Sequence, residues 1–151
     1  MRFAREAFSS PVDQIIVVHL TADKPGQISF IAEIFGGKNT QEVGDEYFTV
    51  SGVKPNGLVL KGKSSTYLGI EGRVKYVTGV KAVAQGGKMT LQEESLTVKG
   101  ADEVTLPIAA ATNFINYKDI SADPEARVKK YLFDIKDKSY DQLRRDHIVE
   151  H

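Results

Sequence analysis

The chain has no cysteine, no tryptophan, two methionines and no surplus of charge of either sign. Without cysteine it forms neither disulfides nor thiolate metal sites, and its redox compartment is left open. Twenty Lys and Arg balance twenty Asp and Glu, so there is no net basic field to hold a phosphate backbone, and no nucleic acid partner is expected. No apolar run approaches a membrane span, and Met1-Arg2-Phe3-Ala4-Arg5-Glu6 lacks the apolar core of a signal peptide. No membrane partner and no address are therefore expected in the chain as given. What is present is ordinary for a soluble globular protein: 151 residues, 41% hydrophobic and 9% aromatic, enough to bury one core without staples.

The longest nearly uncharged stretch runs from Val98 to Phe114. From Val104 onward its period is two, with Val104, Leu106, Ile108, Ala110, Thr112 and Phe114 on one face and Thr105, Pro107, Ala109, Ala111 and Asn113 on the other. Both faces read as covered. The second is small, which predicts a layer of backbone close to it, as in two packed sheets. Pro107 has no N–H for a ladder, so the expectation is an edge strand or a bulge.

Around this strand the chain reads as short strands punctuated by turns. Phe3 to Phe8 is strand text broken at Ser9-Ser10-Pro11. Val12 to Ala22 follows, apolar at successive positions and expected to be buried on both faces over Ile15 to Val18. Asp23-Lys24-Pro25-Gly26 is turn chemistry, and Ile28 to Phe35 is expected to pair back as a hairpin partner. Tyr47 to Val50 and Gly57 to Lys61 flank the turn Lys54-Pro55-Asn56-Gly57, while Tyr67 to Gly72 reads as strand or loop. Arg73 to Gln85 alternates over a long strand, and Gly86-Gly87 predicts a hairpin into Lys88 to Leu91. The expected fold is mainly β, an antiparallel sandwich over residues 1–115.

Residues 116–151 differ in kind. Asp123-Pro124-Glu125 is an N-cap with proline at the first helical position, and Val128, Tyr131, Leu132 and Ile135 recur at helical spacing. Lys136 and Lys138 lie where cations suit a helix C-terminus. Ser139-Tyr140-Asp141-Gln142 has capping-box spacing, which predicts a second helix with Leu143, His147 and Ile148 inward. Both ends of the chain are read as cut inside an element.

Candidate chemistry is sparse. His147-Ile148-Val149-Glu150-His151 fits H-x-x-E-H, the spacing of a zinc site, but a third ligand is missing and the favoured reading is a docking face. His19, on a face with Ile15 and Val17, reads as a histidine bonded at the rim of the core. The carboxylate pairs Asp45-Glu46, Glu93-Glu94 and Asp102-Glu103 are adjacent, so in strands they point to opposite faces and cannot flank one scissile bond. Gly36-Gly37 and Gly86-Gly87 lack a following lysine and helix, and read as turns rather than phosphate cradles. Tyr47, Tyr67, Tyr76 and Tyr117 offer rings for sugar stacking, with core or rim packing the favoured reading. No catalytic residue, no metal and no cofactor is expected.

Three blocks resemble one family. Arg5-Glu6-Ala7-Phe8 with Asp13-Gln14-Ile15-Ile16-Val17-Val18 and Leu20-Thr21-Ala22-Asp23-Lys24-Pro25-Gly26 is similar to the N-terminal β-domain of glycoside hydrolase family 95, the α-L-fucosidases. Val98-Lys99-Gly100-Ala101-Asp102-Glu103-Val104 with Ala109 to Phe114, and Ser139 to Leu143 with His147 to His151, resemble two later blocks of that family. Pro107, Glu150 and His151 depart from its pattern. The resemblance implies a non-catalytic β-sandwich and linker helices that precede an (α/α)₆ catalytic domain hydrolysing α-linked L-fucose in a fucosylated glycan with inversion, in a periplasmic or secreted parent. The chain alone is then expected to be inactive, with an apolar patch where Val128, Tyr131, Leu132, Leu143 or Ile148 lacks a partner. The open N-terminal strand is expected to self-associate. The alternative is a freestanding sandwich that binds glycans or a protein.

Overall fold

The computed structural model describes residues 1–36 and 48–150. It is mostly antiparallel β-sheet with two C-terminal helices. Ten strands run β1 (Phe3–Ser10), β2 (Ile15–Ala22), β3 (Ile28–Glu33), β4 (Phe48–Val53), β5 (Gly57–Lys63), β6 (Lys75–Lys81), β7 (Val83–Gln85), β8 (Lys88–Leu91), β9 (Ser95–Ala101) and β10 (Glu103–Thr112), followed by α1 (Pro124–Asp134) and α2 (Tyr140–Glu150). A seven-stranded sheet has the order β1-β2-β10-β6-β5-β4, with β7 also on β10, and a three-stranded sheet has the order β3-β9-β8. Lys38, Asn39, Asp45, Glu46, Tyr47, the second glycine of Gly36-Gly37 and His151 lie outside the described residues.

The molecule has three layers, helices over the large sheet over the small sheet. Between the sheets lie Ile28, Val98, Ala101 and Val104 in one cluster and Leu58, Ala82 and Leu96 in another. Between the large sheet and the helices lie Ile15, Val17, Val77, Ala109, Val128, Ile135 and Leu143. The small face of β10 therefore meets helices and not a second sheet, which packs on its large face instead. Small side chains let a helix approach the sheet as closely as they would let a strand. Ile16 is 48% exposed while Ile15 is 3% exposed, so β2 is not buried on both faces. Three strands are too few to cover a seven-stranded sheet.

Pro107 is neither at an edge nor in a bulge. β10 is internal, and its register with β2 runs unbroken from Glu103 to Ile108. On its other side the ladder stops between Thr105, paired with Val83, and Ile108, paired with Val80. The interruption falls opposite Ala82, whose N–H donates to the Asn56 carbonyl at 2.9 Å and whose carbonyl accepts from the Asn56 side chain. The missing donor of Pro107 thus coincides with a break in the neighbouring strand where the backbone is satisfied elsewhere.

Two expected hairpins are crossings between sheets. β3 pairs with β9 and not β2, and β8 pairs with β9 and not β7. Gly86 and Gly87 do take positive φ, 69° and 68°, yet they turn the chain out of the large sheet. A Cβ on Gly87 would lie 2.4 Å from the Lys99 carbonyl oxygen, so this corner is packed backbone on backbone. Asp102 ties it together by accepting from Gly26 N at 2.6 Å. The true N-terminal hairpin is β1–β2, paired over Phe3–Ser10 and Ile15–Ala22. The β4–β5 hairpin stands where the turn residues place it.

Both helices start as their caps predict. Asp123 accepts from Glu125 N at 2.9 Å and Ala126 N at 3.1 Å, and Ser139 Oγ accepts from Gln142 N at 3.2 Å. Val128 and Leu143 are buried against the sheet and Tyr131 and Leu132 are partly buried. Of the positions expected to lack a partner, only Ile148 is exposed. No helix among the described residues is long and apolar enough to cross a membrane.

Candidate functional site

Polar chemistry concentrates along one line, where α2 and the segment before it lie on β1, β2 and β10. Alternation in β1 puts Glu6 and Phe8 on the helix side, and alternation in β2 puts His19 there beside Ile15 and Val17. From the other partner come Lys138, Tyr140, Arg144, Asp146 and His147. Residues from the two ends of the chain thus meet in a single seam.

At its centre the His19 and Tyr140 rings stack with centroids 3.5 Å apart. His19 Nδ1 lies 3.0 Å from Thr105 Oγ1 and Nε2 lies 3.7 Å from Glu103 Oε1. The Tyr140 hydroxyl donates to Glu6, whose other oxygen accepts from Arg144 Nε at 3.1 Å. Those two donors hold the Glu6 carboxyl below its ordinary value, Tyr140 contributing most. Burial, then the Glu6 carboxylate, pushes the Tyr140 phenol up to about 12. At one end of the seam Lys138 Nζ sits 2.7 Å from Asp13 Oδ1 and 2.8 Å from Asp146 Oδ2, and the same Asp13 accepts from Ser10 Oγ at 3.0 Å. Asp13 and then Asp146 raise the Lys138 ammonium above its usual value. Next to this cluster Phe8, two residues before Ser10, stacks on His147, the residue after Asp146, at 4.8 Å.

These contacts fasten α2 to the sheet. Each of the seam's carboxylates is engaged by a cation, a hydroxyl or a buried imidazole. His147 of the candidate zinc pattern is a ring of the seam, and Glu150 lies in the last turn of α2. Among the described residues no group of three or more His, Asp or Glu side chains is placed to hold a metal ion. His19, expected at the rim of the core, is 7% exposed.

The remaining candidates do not converge. Asp102 is built into the sheet corner while Glu103 faces His19, so these neighbours serve different layers. Glu93 and Glu94 sit in the turn before β9, and the Glu93 carbonyl accepts from Gly52 N at 2.6 Å. Tyr67 and Tyr117 are 67% and 83% exposed on separate loops, and Tyr76 is half-buried in β6. Sequence reasoning missed Glu6, Asp13, Tyr140 and Arg144 as a group. Their signal, alternation in β1 meeting a capped helix more than a hundred residues later, becomes visible only when the pairing of those elements is known.

Burial pushes the His19 imidazole below its ordinary value of 6.5, against the pull of Glu103, Glu6 and Asp141. Below that value the unfolded chain takes up a proton that the folded chain resists, so stability falls as the pH drops through the histidine range and is level above it. Urea unfolding of His19→Gln, compared with the parent at pH values above the carboxylate range, should show a flatter dependence. An equal slope in both proteins would remove His19 as its source.

Comparison with known proteins places the whole β region. Residues 1–117 match the family model described as glycosyl hydrolase family 65, N-terminal domain. Among solved structures, a putative kojibiose phosphorylase from the human microbiome superposes with a TM-score of 0.51 over 96% of this chain at 11% identity. The chain spans 19% of the length of that phosphorylase. No curated protein matches.

Proposed function

The chain belongs to the family of glycosyl hydrolase family 65 N-terminal domains, and from that premise we propose that it is the non-catalytic brace of a carbohydrate-active enzyme. The observation that carries this is the seam. It holds α2 in a set direction on the sandwich through paired charges, stacked rings and a buried leucine, and it spends its titratable groups on doing so. Beyond it α2 exposes Ile148 and Val149, 53% and 85% accessible, a face suited to receive an (α/α)₆ catalytic domain.

The proposed reaction of the complete enzyme is hydrolysis of α-linked L-fucose in a fucosylated glycan. Its support is the order of three sequence blocks similar to family 95: Arg5–Phe8 with Asp13–Val18 and Leu20–Gly26, Val98–Val104 with Ala109–Phe114, and Ser139–Leu143 with His147–His151. A second reading, phosphorolysis, is favoured by the superposition on a phosphorylase. Sugar release by the complete enzyme from an α-L-fucoside and from kojibiose, each with and without inorganic phosphate, separates them. Phosphate-independent release of fucose, with none from the 151-residue chain alone, is the expected result. Phosphate-dependent turnover of kojibiose would overturn the fucosidase reading and leave the brace, whereas hydrolysis by the chain alone would overturn the brace. A freestanding glycan-binding sandwich remains the alternative if the chain alone binds fucosylated glycan.

A further inference from the structure

We propose that the outer edge of β1 pairs antiparallel with the same edge of a second copy of this chain, about a two-fold axis passing beside Ala4. β1 ends the large sheet, and among the described residues no strand lies on its outer side. Phe3 to Ala7 are exposed, and the ladder to β2 has no bulge along its length. The strand contains no proline and no lysine, two of the usual devices that blunt an edge.

The backbone says which groups are available. Asp23 N donates to the Arg2 carbonyl at 3.0 Å, which marks Arg2 and Asp23 as a hydrogen-bonded pair. By alternation Ala4, Glu6 and Phe8 direct their N–H and C=O groups toward β2, while Phe3, Arg5 and Ala7 direct theirs outward. A row of outward donors and acceptors therefore runs along this edge, with no strand paired to it among the described residues.

Symmetry and charge then select a register. A two-fold axis perpendicular to the sheet leaves each face on its own side, so a residue can stand opposite only a residue from the same face. Centring the axis on Arg5 or Glu6 sets that charge against its own copy, which is unfavourable in directly opposed positions. Centring on Ala7 puts Glu6 opposite Phe8 and forms no ion pair. Centring on Ala4 puts Arg2 opposite Glu6 of the second copy and Phe3 opposite Arg5 of the second copy, two complementary pairs each made twice. Ala4 then faces Ala4 at a non-hydrogen-bonded position, where side chains come closest and a small residue fits.

Absence of cysteine makes the register directly readable. The 151-residue chain should sediment as a concentration-dependent dimer. Ala7→Pro removes an outward N–H without touching the β2 ladder, and should sediment as a monomer with an unchanged far-ultraviolet dichroism spectrum. Under mild oxidation Ala4→Cys should cross-link to a disulfide dimer about tenfold faster than Arg5→Cys, because only its thiols are held face to face. A parent that stays monomeric up to millimolar concentration, or a folded Ala7→Pro protein that still dimerises, would overturn the edge pairing. Faster cross-linking of Arg5→Cys would overturn the register.

Discussion

Leu143→Ala should destabilise the protein by about 2–5 kcal/mol, the range for a buried leucine reduced to alanine where the site collapses only in part. Leu143 is 2% exposed and is the only buried residue of α2. It shares the cluster under the helices with Ile15, Val17 and Ile135. The rest of α2 is mostly polar, and an 11-residue helix does not hold together in water without packing. Loss of this anchor should therefore undock α2 and unwind it while the sheets persist. Chemical denaturation with dichroism as the probe tests this, and the variant should show reduced helical signal before the main transition. A cost below about 1 kcal/mol would mean that the polar seam, and not Leu143, seats the helix, since individual hydrogen bonds are worth that much.

Gly79→Val should displace α1 and cost about 1–3 kcal/mol by overpacking. A Cβ on Gly79 would lie 2.8 Å from Val128 Cγ1 and 3.0 Å from Leu132 Cδ1, so β6 carries a glycine here because the helix rests directly on its backbone. Val128 is 3% exposed and has little freedom to give way. The displaced helix should weaken the ion pair of Glu125 with Lys61 on β5, 2.6 Å in the parent, while its pair with Lys129 within α1, 2.9 Å, moves with the helix. These lysines, Lys61 first, hold the Glu125 carboxyl at about 2 against an ordinary 4.5. Its contribution is present above 4.5 and is lost as the pH falls toward 2. A rise in the Glu125 pKa in Gly79→Val, followed by NMR, is the expected accompaniment. A variant with parental stability and an unmoved Glu125 would show that α1 can rise from the sheet without penalty.

Local order was legible in the residues. Alternation marks β10 and the stretch that holds β6 and β7, the cap residues Asp123 and Ser139 mark both helix starts, and Gly86-Gly87 marks a reversal, because each depends on neighbours a few residues away. The seam was not legible. His19 reads as a lone histidine near a core, since nothing within reach along the chain announces Tyr140, and Glu6 reads as one charge in a strand. The zinc-like spacing at His147, whose last histidine lies outside the described residues, drew attention to this helix. What that turn supplies is a ring for Phe8.

By itself the sequence determined that the protein is mainly β with two terminal helices and that β10 is covered on both faces. Only the tertiary structure decided which layer covers which face, which strands share a sheet, and how Pro107 fits an internal strand. The physical reason is that alternation reports burial without naming the neighbour. A small face accepts a helix as readily as a sheet, and a glycine pair with positive φ turns the chain equally well into a hairpin or across a sandwich. The choice rests on registers between distant segments, where β10 holds β2 on one side and β6 and β7 on the other.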